Sequence, residues 1–235
     1  FARRHQGNLA RHCRAGAWPE MSSIRPQLLE TVASLIDQNA DIAAFAGACF
    51  GLLLVPEDED GIGGDWGDAV AVLQSIGYGA PHLDIAPLIL SPVHGNAMRD
   101  GALTIVAMIA GALQKAMELS IEHANVRVQF GKPLSKQQAV QQSLAALAEE
   151  AAAVAVAVEA AAAARDVGDA AFEIAAAKIR ANRAAGLGGA IAHQVHGAIG
   201  FTQDHSLHHT TAALSRWRSA YGNDAYWSAH LGEMV

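Results

Sequence analysis

The amino-acid sequence predicts an all-α protein with an N-terminal helical domain, residues 22–99, and a C-terminal antiparallel four-helix bundle, residues 100–235. Three observations carry this prediction. Of the 235 residues, 51% are hydrophobic and only 17% are charged, and much of the apolar share is alanine, which favours closely packed helices. The second half repeats apolar side chains with a period of 3.6 residues. Segments that alternate apolar and polar residues are too short to predict a β domain.

In the N-terminal domain, three helices are expected. The first starts near Pro26 and is capped by a serine, Ser22 or Ser23. Residues 43–55 form either a second, buried helix or a helix plus a turn, and the third helix runs from Trp66 to about Gly77. Three prolines interrupt the stretch that follows. The best strand candidate, Leu52–Val55, is short.

The bundle is predicted from four apolar periods separated by short turns. A loop at 130–135, containing Gly131 and Pro133, separates the first two helices, and a turn at 166–169 separates the second from the third. The predicted helices span residues 102–127, 136–165, 170–186 and 207–230. Their alanine faces let the helix axes approach closely, so we expect a rigid bundle that also packs against partner helices.

Charge and cysteine content argue against several classes of function. A net charge of −7 offers no bulk attraction for a phosphate backbone, so nucleic acid is not an expected partner. Cys13 and Cys49 are too few for a disulfide framework and fit a reducing cytoplasm, where we expect a soluble protein. The uncharged apolar stretch from Ile42 to Val55 is too short for a membrane span, which needs about 20 residues.

Residues 1–21 are interpreted as an N-terminal extension. They include four arginines, show no regular apolar period and lack the uninterrupted apolar core of a secretory signal. Met21, followed by two serines, has the features of a natural start.

Two segments carry residue types that suit a dinucleotide. Arg127 ends a long helix, Phe130 lies in the turn and Gln138 begins the next helix, which together offer a guanidinium for pyrophosphate, an aromatic face and an amide. The glycine-rich turn at 197–200 lets backbone N–H groups approach an anion or a flat ring. Taken alone, each segment has a structural alternative: a helix-dipole contact for Arg127 and an ordinary helix-ending turn at 197–200.

Three motifs resemble those of the acyl-CoA dehydrogenase family. Residues 127–134 (RVQFGKPL), followed by two glutamines, are similar to an element of the family's C-terminal domain. Residues 193–202 (HQVHGAIGFT) match its Q-x-x-G-G/A-x-G-F/Y element, and residues 55–64 (VPEDEDGIGG) look like a turn of its N-terminal helical domain. The resemblance covers nearly the whole chain from about residue 22, with the motifs in the family's order.

The resemblance implies FAD bound between subunits and an acyl-CoA thioester as substrate. In this family a carboxylate removes the α-proton while a β-hydride passes to flavin N5, which desaturates the α,β bond. The residues that match contacts to a neighbouring subunit's FAD are Arg127, Phe130 and Gln138 at its pyrophosphate and adenosine half, and Gln194, Gly197 and Ala198 at its adenine end.

The chain departs from the family at the catalytic base. Residues 221–223 (Tyr-Gly-Asn) stand where the family has Glu-Gly-Thr, so Tyr221 occupies the base position, although a phenol with a pKa of about 10 is a poor base. Asn223 is assigned as a further cofactor contact. The family's alternative base position falls at about Gly101. Asp100 and Asp224 are the nearest carboxylates, and each is out of register.

A second departure concerns the family's middle β-sheet domain. Only about a dozen residues separate Ile89 from Ala102, a length typical of a loop. Either the module is absent, or a segment between about Pro92 and Asp100 is missing from the sequence. If the module is absent, a complete flavin site cannot be built from one type of chain.

Three interpretations therefore remain open, the first two of them in a homo- or hetero-oligomer. The first is an FAD-dependent acyl-CoA dehydrogenase, or a subunit of one. The second is a non-catalytic helical partner subunit that lends Arg127, Phe130 and Gln194 to the FAD of an active homologue. A third is a decayed scaffold without cofactor.

Several histidines have spacings that could suit a metal ion. His205, His208 and His209 lie at i, i+3 and i+4, and His193 and His196 at i, i+3, which are spacings that place ligands on one helix face. No cysteine lies near them, and the Glu-x-x-His pairs of di-iron bundles are absent. We expect hydrogen-bonded or interface histidines and no metal.

Overall fold

The computed structural model describes residues 22–80, 82–91, 95–202 and 205–234, so the predicted extension at 1–21 lies outside the described residues. The all-α prediction is confirmed. The helices are α1 Arg25–Asp37, α2 Ile42–Gly47, α3 Trp66–Gly79, α4 Ala86–Leu90, α5 Ala97–Val126, α6 Gln138–Val167, α7 Ala171–His196, α8 Leu207–Trp217 and α9 Asp224–Gly232. Short 3-10 turns lie at Phe50–Leu52, Glu57–Glu59, Leu134–Lys136 and Gly197–Phe201.

Helices α5, α6 and α7, completed by the pair α8 and α9, form an up-down-up-down bundle. At one end, Arg165 near the end of α6 pairs with Asp100 near the start of α5. At the other end, the His123 ring near the end of α5 stacks on the His196 ring at the end of α7. These contacts make α5 and α7 parallel and place α6 antiparallel to both.

The centre of the core is α5, whose residues 100–113 are all buried. Two glycines let α3 cross it closely. A Cβ at Gly77 of α3 would overlap the Met108 carbonyl, and a Cβ at Gly111 of α5 would overlap the Gln74 carbonyl. One continuous hydrophobic cluster therefore includes residues of both the predicted N-terminal domain and the predicted bundle. By length and composition α5 would also suit a membrane span, but most of its apolar window is buried in this core.

The first elements correct two predictions. Helix α1 starts at Arg25, and its N-cap residue Ile24 has no side chain that could serve as a cap, so the predicted serine cap is wrong. Residues 43–55 follow the helix-plus-turn alternative, because α2 ends at Gly47 and a 3-10 turn follows. Leu52–Val55 is not a strand, because Leu52 ends a 3-10 turn and the Leu53 and Val55 N–H groups donate to the carbonyls of Phe50 and Leu52, three residues earlier.

The bundle helices also differ from prediction in three places. Helix α7 continues about ten residues beyond Gly186, because its glycines allow close packing: a Cβ at Gly188 would press on Leu113 and Leu147. The predicted fourth helix is two helices, broken where Tyr221 and Gly222 both adopt positive φ. The predicted loop at 130–135 is part of a two-stranded hairpin, β1 Val128–Gln129 and β2 Lys132–Pro133, which was not predicted.

The connection between the two segments is short. Helix α4 ends at Leu90 and α5 begins at Ala97. Within the described ranges, the small hairpin is the only sheet. The structure therefore contains helical parts that match the sequence motifs, and the described residues include no middle β domain.

Candidate functional site

The first predicted cofactor residue, Arg127, is positioned by its backbone. Its N–H donates to the His123 carbonyl at 2.9 Å, and its own carbonyl accepts from the Leu134 N–H at 2.8 Å. The side chain of Arg127 is exposed. Within the part of the chain that the structure describes, its guanidinium forms no ion pair. A fixed backbone and an uncommitted guanidinium suit an external anion.

Phe130 lies at the tip of the hairpin in a costly conformation. Phe130 and Gly131 both have positive φ, 52° and 78°, as a two-residue type I′ turn requires. That conformation is rare for a bulky side chain, and the ring is 95% exposed, so it gains almost no burial within the chain. Strain held without a local gain indicates a ring that contacts something outside the chain.

The second predicted element begins at the end of α7. Gly197 has φ 65° and ψ −145°, a conformation that L side chains rarely adopt, and nothing lies within 4 Å of where its Cβ would be. Gln194 and Ala198 beside it are exposed. This turn therefore presents open backbone that a flat ligand can approach.

Contacts between aromatic rings join these two elements. The His123 and His196 rings stack with centroids 4.6 Å apart, and the His193 and Phe201 rings stack at 4.0 Å. His193 also shares a 2.9 Å hydrogen bond with the Thr211 hydroxyl. We call the surface formed by residues 123–138 and 193–202 the hairpin end. The structure brings six predicted FAD residues to it: Arg127, Phe130, Gln138, Gln194, Gly197 and Ala198.

Burial controls the protonation of the histidines at the hairpin end. It lowers the pKa of His196, and the neighbouring histidines lower it further against the opposing hydrogen bond to Ala192. Burial likewise lowers the pKa of His123, with His205 and Arg127 adding repulsion, and burial lowers the pKa of His193. Neutral imidazoles are therefore favoured there at pH 7.

The candidate base positions meet at the opposite end of the bundle. The Tyr221 ring lies directly on Gly101, where a Cβ would overlap two carbons of the ring. Gly101 and Tyr221 are the two positions at which the resemblance places a base, and they are neighbours in space. Burial raises the pKa of Tyr221, and the Asp84 charge raises it further, so the phenolate that could take a proton is even scarcer at pH 7 than for an exposed tyrosine.

A buried polar network holds Tyr221 in place. The Trp227 indole donates to the Tyr221 carbonyl at 2.8 Å. Lys178, which is fully buried, donates to the Asn182 side chain at 2.5 Å and to the Trp217 carbonyl at 3.3 Å. Burial lowers the pKa of Lys178 to about 8, although Asp224 opposes the shift. We call residues 97–104 and 217–227, with this network, the Tyr221 end.

The remaining candidates lie at the Tyr221 end. Asp100 is 2% exposed and binds Arg165 through both carboxylate oxygens, at 2.7 and 3.2 Å, which commits it to an ion pair. Asp224 lies in the first turn of α9, 4.0 Å from Arg218. Asn223 accepts from the Tyr226 N–H at 3.0 Å and caps α9, so the structure does not bring it to the other predicted FAD residues.

Sequence reasoning missed two residues that organise these ends, His123 and Lys178. His123 faces the glycine-rich turn only because α5 and α7 are parallel, which no local pattern reveals. Lys178 and Asn182 stand four residues apart in an alanine-rich helix, and this polar pair on an apolar face was a readable signal of a buried hydrogen bond.

Comparison with known proteins gives a consistent result. Residues 92–230, more than half of the chain, match the family described as "Acyl-CoA dehydrogenase, C-terminal domain". The matched part includes both elements of the hairpin end and both candidate base positions.

A curated relative and two solved structures are similar to this chain. The 3-sulfinopropanoyl-CoA desulfinase of Paraburkholderia xenovorans (strain LB400) is 38% identical over 109 residues, which are 46% of this chain and 27% of the relative. The ChsE4-ChsE5 complex from Mycobacterium tuberculosis is 25% identical, with a TM-score of 0.56 over 58% of this chain and 37% of that one. A glutaryl-coenzyme A dehydrogenase in complex with glutaryl-CoA is 14% identical, with a TM-score of 0.81 over 92% and 96% of the two chains, and shows the fold alone.

Proposed function

The chain belongs to the acyl-CoA dehydrogenase family, and on that premise we propose that it works in an oligomeric flavoenzyme that desaturates the α,β bond of an acyl-CoA thioester. Within that assembly, the hairpin end contacts the FAD of a neighbouring subunit. The matched region covers only 27% of the curated relative, so the substrate and the partner subunit are part of the proposal. A free, exposed Cys49 agrees with the cytoplasm as the proposed location.

The observation that carries the proposal is the charge of the hairpin end. The whole chain has a net charge of −7, yet residues 123–138 and 193–202 contain no acidic residue. Arg127, Lys132 and Lys136 are all exposed there. A cationic, acid-free surface on an acidic protein favours a phosphate-bearing ligand.

The residues present fit the adenosine and pyrophosphate half of FAD. Arg127 offers two parallel N–H donors to the pyrophosphate, and Phe130 offers an exposed aromatic face to a flat ring. The Gln138 and Gln194 amides are placed to bond ribose and base, and the Gly197 turn lets the backbone approach closely. When bound, FAD supplies the hydride acceptor of the reaction.

The Tyr221 end favours a second candidate, in which this chain is a non-catalytic partner subunit. Proton abstraction next to a thioester needs a carboxylate within hydrogen-bond reach of the α-carbon. Here a tyrosine and a glycine fill the two base positions and pack on each other. In this second candidate the base comes from a homologous subunit. The similarity to the ChsE4-ChsE5 complex supports an assembly of unlike chains.

Flavin retention tests the role of the hairpin end. We expect Arg127→Ala to lower the ratio of flavin to protein, measured by visible absorbance after purification, because the pyrophosphate loses a bidentate partner. Arg183→Ala removes an exposed arginine in the middle of α7 and serves as the matched control. Unchanged retention in Arg127→Ala would contradict the assigned role.

Expression alone and together with a homologous subunit separates the two candidates. A yellow chain that desaturates acyl-CoA by itself supports the first, and a chain that is yellow only when co-expressed supports the second. In the co-expressed assembly, the second candidate predicts that Tyr221→Phe retains desaturase activity, since the phenol takes no part. A chain without flavin under both conditions contradicts both candidates and leaves a helical scaffold.

A further inference from the structure

Three histidines, one of them distant in sequence from the other two, meet at the hairpin end. His123 comes from the last turn of α5, His196 is the last residue of α7 and His205 precedes α8. One ring nitrogen from each lies within 4.8 Å of those of the others. The rings of His123 and His196 stack, and His205 meets the His196 ring edge-on at 4.8 Å.

The central ring, His196, has one ring nitrogen without a hydrogen-bond partner among the described residues. His196 is 5% exposed. Its Nδ1 lies 2.8 Å from the Ala192 carbonyl, and because a carbonyl only accepts, Nδ1 carries the proton. Nε2 is then the acceptor, and among the described residues it is buried without a hydrogen-bond partner. A buried acceptor without a partner is destabilising, and it calls for a ligand outside the described residues.

This arrangement of His196 is the one that metal-binding histidines adopt. A ligating imidazole usually donates its second ring N–H to a carbonyl or carboxylate, which fixes the tautomer and the direction of the lone pair. Ala192 provides that carbonyl, one helical turn away on α7. The geometry of His196 is therefore set in advance for an ion on its Nε2 side.

The other two rings have room to complete a site. His123 and His205 are only half-buried. His205 Nδ1 accepts a long bond of 3.2 Å from the Leu207 N–H, which is easily exchanged. Tetrahedral bonds to nitrogen of about 2.0–2.1 Å place the ligand atoms about 3.3 Å apart, so rotation of these side chains has to close a gap of up to about 1.5 Å.

We propose that His123, His196 and His205 bind one divalent transition-metal ion, with Zn²⁺ as the best match, and leave a fourth position open to water. Three imidazole nitrogens suit Zn²⁺ better than Mg²⁺ or Ca²⁺, which prefer oxygen ligands. The sequence predicted no metal site, because spacing along the chain identifies ligand sets only among histidines that are close together in sequence. His123 completes the set through the fold.

A bound ion would tie the two halves of the hairpin end together. His123 is four residues before Arg127, and His196 directly precedes Gly197. The ion would therefore join the end of α5 to the end of α7 and to the segment that leads into α8, independently of any flavin.

Calorimetric titration with zinc tests the site directly. The full chain, purified without a polyhistidine tag and dialysed against a chelator, is titrated with zinc sulfate. We expect one equivalent to bind with micromolar or tighter affinity and to raise Tm. His205→Ala, His123→Phe and His196→Gln should each weaken binding at least tenfold and remove the increase in Tm. His209→Ala, an exposed histidine outside the cluster, should bind zinc as the unmodified chain does.

Two outcomes would overturn the site. One is the absence of a zinc equivalent in the unmodified chain, and the other is binding that His205→Ala leaves unchanged. Circular dichroism of each variant confirms folding. His205 is half-buried and lies outside the helices, so its alanine variant keeps the test decisive if the buried His196 variant unfolds.

Discussion

The two ends of the bundle have the same scaffold but opposite surfaces. Along α5, Gly101 and His123 lie about 33 Å apart at 1.5 Å per residue. The hairpin end keeps its motif residues exposed, cationic and free of internal ion pairs among the described residues. At the Tyr221 end, the two family base positions are filled by Gly101 and by the Tyr221 ring that packs on it. The adjacent Gly222 carbonyl accepts from Asn182, which in turn accepts from the buried Lys178.

This difference shows how the proposed roles divide. Residues at the hairpin end contribute little to the core, so their presence is best explained by contacts outside the chain. At the Tyr221 end, the side chains contribute to the fold and leave no free carboxylate at either base position. Substitutions at the Tyr221 end should therefore change the free energy of unfolding, and those at the hairpin end should change ligand binding.

The largest effect is expected at the Asp100–Arg165 ion pair. Asp100→Asn removes the negative charge that a largely buried arginine needs, and the free energy of unfolding should fall by about 3 kcal/mol. Denaturant unfolding measures this change. In an assembly that retains flavin, the flavin ratio of the folded variant should stay unchanged.

Asp169→Asn is the matched control for that prediction. Asp169 pairs with Arg99 at the same end of the bundle, but its side chain is 73% exposed, so little change in stability is expected. If Asp100→Asn instead lowered flavin retention and left unfolding unchanged, the contrast between the two ends would be broken.

A smaller effect, with a defined pH dependence, is expected at Lys178. Its pKa is about 8 in the folded chain, against about 10.4 when unfolded, so between these values the unfolded state binds more protons and stability rises with pH. The unmodified chain should gain about 2 kcal/mol relative to Lys178→Met between pH 7.5 and 10. Urea unfolding at both pH values measures it.

An exposed lysine provides the comparison for this trend. Lys136→Met, in the turn before α6, should follow the pH trend of the unmodified chain. If Lys178→Met showed the same pH trend as the unmodified chain, burial would not lower the pKa of Lys178 as described. The buried lysine would then no longer distinguish the Tyr221 end from the hairpin end.

Local pattern was enough to predict the long helices. The start of α3 was predicted at its observed residue, and α5 and α6 were placed to within a few residues, because apolar period and capping residues are local signals. The extent of α7 was not predictable in this way. Its glycines predicted the end of the helix, whereas Gly188 leaves space for the side chains of Leu113 and Leu147, which are distant in sequence.

The site was predictable as a set of residues but not as an arrangement. Motif resemblance identified Arg127, Phe130 and Gly197, and the parallel course of α5 and α7 brings them to one end. The contact between Tyr221 and Gly101 and the histidine cluster depend on residues about 70 to 120 positions apart. No single-sequence pattern contains such distances.

The smallest change in stability is expected for a substitution at the hairpin end, at Phe130. Phe130 holds φ 52° at the turn, where asparagine is far better tolerated, so Phe130→Asn should raise the free energy of unfolding by about 0.5–1 kcal/mol. The same change removes the exposed ring and should lower flavin retention. A higher free energy of unfolding together with lower flavin retention would show that Phe130 contributes to ligand contact and destabilises the folded chain.

Phe172→Ala is the control, because Phe172 is also exposed, at 52%, but lies at the start of α7, near the Tyr221 end. It should leave flavin retention unchanged. Equal losses of flavin in both variants would mean that exposed phenylalanines act nonspecifically, and full retention in Phe130→Asn would remove the ring from the proposed cofactor surface. The strained turn would then need another explanation, such as contact with a partner chain away from the flavin.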